Sequence, residues 1–206
     1  MKLYFTSIKL LQQFFLGISI CIMILLPLLL VFVPEELTEE TILRIYDISH
    51  FSVFLVMLVR PLADIFIKNK WIRPLVILRK GVGVLAASIV VSFIFAKLII
   101  DPVGYLQAFG TLEYWSAQNF TLFAHLADIS AVILLVTSNN LSKRLLGAWW
   151  KRVQKLSYVF FYGSALYVFL AFGNSLLLYS MIIITTVTVL AYALNQCRRT
   201  DNLQTV

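Results

Sequence analysis

Only two of the 206 residues are cysteine and only two are histidine. Cys21 lies inside the first apolar run and Cys197 just past the last. The chain therefore has no disulfide framework, and the two thiols fall toward opposite sides of any bilayer that the runs cross. No CxxC, no HExxH and no Gly-rich phosphate loop occurs, so the metal and nucleotide chemistries carried by those motifs have no seat. Charge is sparse as well: Asp, Glu, Lys and Arg make up 13% of the chain, ten acidic residues against 17 basic. The net charge of +7 does not make a nucleic-acid face. The Lys and Arg residues stand in short clusters between hydrophobic runs rather than in one patch, and no nucleic-acid partner is expected.

What is present in excess is apolar sequence: 61% of residues, against about 45–50% in soluble domains, with a mean hydropathy of +0.91. A bilayer-spanning helix needs roughly 20 mostly apolar residues, because lipid offers no partner to backbone N–H and C=O groups. Six such runs stand at about 14–33, 48–67, 81–100, 119–137, 156–172 and 175–194. Pro34 and the acidic stretch Glu35, Glu36, Glu39, Glu40 close the first run, Asp101-Pro102 the third, and Gly173-Asn174 separates the fifth from the sixth. The first run is too long for a signal-peptide core and lacks a small-residue cleavage site, so it is expected as a retained helix. The expectation is an all-α, polytopic membrane protein: one transmembrane domain over 1–206, built as a six-helix bundle with short loops.

Lys68, Lys70, Arg73, Arg79 and Lys80 follow the second run, Lys143, Arg144, Lys151, Arg152 and Lys155 follow the fourth, and Arg198-Arg199 follow the sixth. The other connections are acidic or nearly uncharged. The positive-inside rule then puts the basic connections and both termini in the cytoplasm. Trp71, Trp115, Trp149 and Trp150 fall near run ends, where aromatic anchors belong.

Ionisable residues within the runs are functional candidates, since a charge near the bilayer centre costs a few kcal/mol or more. Asp128 is the deepest, and His125, three residues earlier, projects from nearly the same face. His50 stands near the outer end of the second run, in the same half of the bilayer as His125. The two histidines are candidates to ligate a heme or metal, or to relay protons with Asp128. The bland alternative makes His50 an interfacial residue and His125 and Asp128 structural hydrogen-bonding groups. Arg60 and Asp64, four apart, are expected to pair. Lys97 is expected to snorkel to the interface. Tyr158, Tyr162 and Tyr167 are expected as aromatic packing.

Thr137-Ser138, followed by Arg144-Leu145-Leu146-Gly147-Ala148-Trp149-Trp150 and on through Gln154 to Tyr158, resembles the fourth-to-fifth loop of the ferric reductase-like transmembrane family, MsrQ-type branch. Arg60-Pro61-Leu62 is similar to that branch's motif at the end of its second helix, and Arg79-Lys80-Gly81-Val82-Gly83 to the one before its third. The resemblance covers about residues 45–172. It implies a six-helix membrane fold that holds b-type heme between histidines on the third and fifth helices and passes electrons from a quinol or flavin to a periplasmic partner. At the matching positions this sequence has Ser92–Phe93, Gln154 and Tyr167, none of them an imidazole.

The resemblance therefore implies a heme-free membrane anchor or accessory subunit of a redox complex, with no cofactor, in a bacterial inner membrane. Its partners would be lipid and another protein subunit or periplasmic redox protein. It would be at most a non-catalytic electron-transfer subunit. One alternative is a single b-type heme held by His50 and His125. A second is a small proton-linked transporter using Asp128 and His125, although no internal repeat relates residues 1–100 to 101–206.

Overall fold

Long apolar runs satisfy their own backbone only as helices, and the chain follows that rule. The computed structural model describes residues 2–33, 37–117 and 120–204. Pro34, Glu35, Glu36, Asn119 and the side chain of Arg199, named above, lie outside the described residues. Those described form no strand. Helix α1 (Lys2–Phe32) leads to α2 (Glu39–Ile65), a 3₁₀ turn (Arg73–Ile77), α3 (Leu78–Ile100), the short α4 (Pro102–Phe109), α5 (Thr121–Thr137), two further short helices α6 (Asn140–Leu146) and α7 (Trp149–Val153), then α8 (Leu156–Phe172) and α9 (Ser175–Gln204).

Five stretches are long and apolar enough to cross a membrane: Leu3–Phe32, Glu39–Ile65, Arg73–Ile100, Trp149–Phe172 and Ser175–Arg198. A sixth exists only if α5 and α6 are taken together, and they meet at a bend of 97°. Large apolar side chains on the outside agree with this reading. Phe14, Ile24, Phe51, Ile99, Val136, Ile182 and Val189 are all exposed, a surface that water does not tolerate and lipid does.

Several boundaries differ from those expected. Helix α2 begins nine residues before position 48, taking in Glu39 and Glu40. Hydropathy counts those carboxylates against a span, but a helix N-terminus attracts them. The Thr38 hydroxyl caps the Thr41 N–H at 3.3 Å, and Glu40 pairs with Arg44 at 2.6 Å. Helices α1 and α9 likewise run on past the apolar runs 14–33 and 175–194. Where a plain loop was expected after Ile100, Asp101 caps Gly104 N–H at 2.8 Å and Pro102 occupies the first helical turn, which starts α4.

Helix α3 is the centre of the bundle. Of its most apolar stretch 56% is buried, against 17–28% in the other four spans. It packs on α1, α2 and α5, while α5 packs on α8 and α9 on α2 and α8. Small residues set these approaches: Ala86, Ala87, Ala131 and Ala165 are fully or almost fully buried. In lipid, close backbone approach is the main source of helix association. A Cβ at Gly81 would stand 2.9 Å from the Gln12 carbonyl oxygen of α1, and one at Gly163 would stand 3.0 Å from that of Phe123 in α5. Buried serines bond across helices, Ser49 Oγ donating to Ala86 O at 3.1 Å and Ser92 Oγ to Ile22 O at 3.3 Å. Cys21 and Cys197 are exposed and not disulfide-bonded.

Candidate functional site

The ionisable candidates inside the bundle stand on α2 and α5. On α2, the His50 ring is tied to its own helix: Nδ1 lies 2.9 Å from Tyr46 O. A carbonyl only accepts, so Nδ1 carries the proton and Nε2 keeps its lone pair. That Nε2 is buried with no hydrogen bond of ordinary geometry, though the Ser164 backbone of α8 also acts on the ring. On α5, the His125 ring lies flat on Tyr114, with centroids 3.4 Å apart and planes at 8°, and Trp115 meets its edge at 5.9 Å. The loop before α5 brings both aromatics there, held in part by Trp115 Nε1 donating to Phe109 O at 3.0 Å. His125 Nδ1 is also buried without a partner. An orphaned buried nitrogen costs about 1–3 kcal/mol, so two of them in one region are a conspicuous expense of stability.

Asp128 and His125 do lie on one helix, yet no hydrogen bond joins them among the described residues. Both sit instead in the field of Lys97 from α3. Lys97 was expected merely to snorkel; its charge also reaches this cluster. Pairing across helices depends on their relative rotation, which local spacing does not carry. Tyr46 feels the charge of Asp128 and lies near Tyr167 of α8. No hydrogen bond or ring contact joins His50 to His125 among the described residues. His50 is anchored along α2 and His125 is held under Tyr114.

The positions that match the heme ligands of the resembled family are all engaged in packing. Phe93 is buried and stacks on Tyr46 with centroids 4.3 Å apart and planes at 13°. Tyr167 meets Phe172 edge-on at 6.0 Å. Gln154 Nε2 reaches Thr137 Oγ1 at 3.4 Å, far along the bundle at the basic end. A b-type heme needs two strong axial donors on opposite faces of the ring. Phe93 offers none, and the Tyr46 ring covers its face. Those three positions do not fit the group. Of the two histidines, His50 Nε2 and His125 Nδ1 are buried within protein. No three His, Cys, Asp or Glu side chains converge to hold a metal ion among the described residues.

Arg60 Nε lies 3.2 Å from Asp64 Oδ2, with the side chains 60% and 36% exposed, so the pair belongs to the surface of the basic end rather than to the interior. Tyr162 bonds Thr185 through its hydroxyl at 2.8 Å, joining α8 to α9. Trp150 Nε1 donates to Thr137 O at 3.0 Å, and Tyr4 donates to Trp71 O at 2.8 Å. These aromatics lock helix ends in place as well as marking an interface. No family model, no curated protein and no solved structure matches the chain.

Proposed function

We propose that the chain is an integral membrane protein that crosses an inner (plasma) membrane six times, with both termini and the basic connections in the cytoplasm. It serves a redox complex as a heme-free anchor or accessory subunit and has no catalytic group of its own. The observation that carries this reading is the stack of Phe93 on Tyr46. It fills with aromatic carbon the place where the resembled redox proteins carry an axial imidazole. The test is a dithionite-reduced minus oxidised spectrum of protein expressed with ample heme, with a pyridine hemochrome count. A folded, monodisperse sample shows no b-type α band; about one heme per chain overturns the reading, and loss of that heme in His50→Ala or His125→Ala would assign the ligands. For topology, Ser142→Cys in a variant lacking the native cysteines reacts with an impermeant maleimide only when the cytoplasmic side is open to it.

The two orphaned imidazole nitrogens and Asp128 in the field of Lys97 favour a second reading, a proton-linked transporter. On that reading Asp128→Asn abolishes proton movement into proteoliposomes while folding is kept. Equal proton flux in Asp128→Asn and the unsubstituted protein excludes it.

A further inference from the structure

The largest concentration of unpaired positive charge surrounds a cavity of about 590 Å³ at the basic end of the bundle. Five cations from four helices line it: Arg60 of α2, Arg79 and Lys80 of α3, Lys143 of α6 and Lys151 of α7, with no carboxylate among the lining residues. Only one of the five has an acidic partner, Arg60 with Asp64. Lys143 stands 5.4 Å above the Trp150 ring. Arg79 is half-buried and donates Nε to Val56 O at 3.0 Å. That bond fixes the fork, and its terminal nitrogens find no protein partner among the described residues. Arg60 and Arg79 also feel each other's charge. Asp64 offsets part of this repulsion, and an anion bound in the cavity would offset more. Asn140 and Ser157 add uncharged donors at the rim, whereas the inner wall is apolar: Val53, Leu134 and Phe160, all buried core residues.

We propose that this cavity binds a phosphate-bearing anion, and that its apolar inner wall favours an amphiphile, an anionic phospholipid with its phosphate at Arg79 and the surrounding lysines and its chain against Val53, Leu134 and Phe160. Planar guanidinium forks suit phosphate oxygens in pairs, and lysines add point charge. A cationic pocket between transmembrane helices is a recognised form of lipid-headgroup site. The inference is independent of the redox reading and needs no statement of which side of the membrane the basic end faces.

The test uses the full chain, delipidated in neutral detergent, with binding read by native mass spectrometry and by thermal shift. The probes are phosphatidylglycerol, phosphatidylcholine and inorganic pyrophosphate. Phosphatidylglycerol binds at least about tenfold tighter than phosphatidylcholine, Arg79→Gln weakens it about fivefold and the double variant Lys80→Gln/Lys151→Gln about thirtyfold, at roughly 1 kcal/mol per cation. Lys68→Gln/Lys70→Gln, cations of the same end outside this cavity, leave it unchanged. Tight pyrophosphate binding with the same sensitivity to these variants places the phosphate on a soluble compound instead of a lipid. Arg79→Gln also breaks the Val56 bond. If it fails to fold, the exposed Lys80 and Lys151 still decide the matter. Equal affinity for the two lipids with no pyrophosphate binding, or indifference to the double lysine variant, overturns the proposal.

Discussion

Gly81→Ala offers a measure of how tightly the centre of the bundle is built. A methyl group there would stand 2.9 Å from the Gln12 carbonyl oxygen and 3.2 Å from Phe15 Cβ, both on α1. The first contact is to backbone, so α1 must shift as a whole to relieve it. Gly17, on α1 itself, has nothing within 4 Å of its Cβ position and serves as the control. Alanine for glycine in a helix interior is worth up to about 1 kcal/mol in helix propensity, and that gain is common to both variants. Their difference isolates the steric cost, for which overpacking supplies about 1–3 kcal/mol, or about a 5- to 150-fold change in the unfolding constant. Equilibrium unfolding in mixed micelles, followed by tryptophan fluorescence, reports it. Trp71 is the natural probe, since its ring lies 5.0 Å from that of Tyr4 at the start of α1. Gly81→Ala should be the less stable variant. If it matches or exceeds Gly17→Ala, α1 is not seated on α3 as described, and the argument for close approach fails.

Phe93→Ala should cost about 3–5 kcal/mol in the same assay, while Tyr46→Phe, which keeps the ring stack, should stay within about 1 kcal/mol of the unsubstituted protein. Lys97→Met removes the cation whose field reaches Asp128 and should destabilise more than the double variant Lys97→Met/Asp128→Asn. A thermodynamic cycle giving no coupling would show that the two charges do not act on each other. Asp64→Asn should cost well under 1 kcal/mol and less still in high salt, because the pair with Arg60 is solvent-exposed and such pairs are weak.

The long helices were legible in the sequence because apolar runs of span length leave few alternatives. Five of the six expected runs stand as full spans. The remaining one, the fourth at 119–137, becomes a helix of 17 residues that ends where Asn139 caps the next turn, its Oδ1 accepting from Ser142 N–H at 2.7 Å. Helices α4, α6 and α7 were not legible, since five to eight residues carry too little periodicity to separate from a loop. The candidate residues His50, His125 and Asp128 were legible individually from their rarity. Their arrangement was not: nothing local indicates that His125 lies under Tyr114 or that the charge of Lys97 reaches Asp128. The basic clusters read in sequence as a signal of orientation, and only the folding of α6 and α7 against α5 turns them into the wall of a cavity.

The brevity of α5 has a consequence for the membrane around it. At 1.5 Å per residue its 17 residues reach about 25 Å, while a typical hydrocarbon core is about 30 Å thick. The 97° bend into α6 gives the chain no further rise with which to make up the difference. On the six-span reading proposed above, the bilayer must dimple toward the protein on this flank, at a cost of a fraction of a kcal/mol for each ångström of mismatch. Asp128 lies near the middle of that short helix, so the dimple brings water to within about 13 Å of its carboxylate along either direction of the axis. A protein shaped in this way partitions toward thinner bilayers, and chain length in the surrounding lipid becomes a means of tuning how dry its one deep carboxylate is.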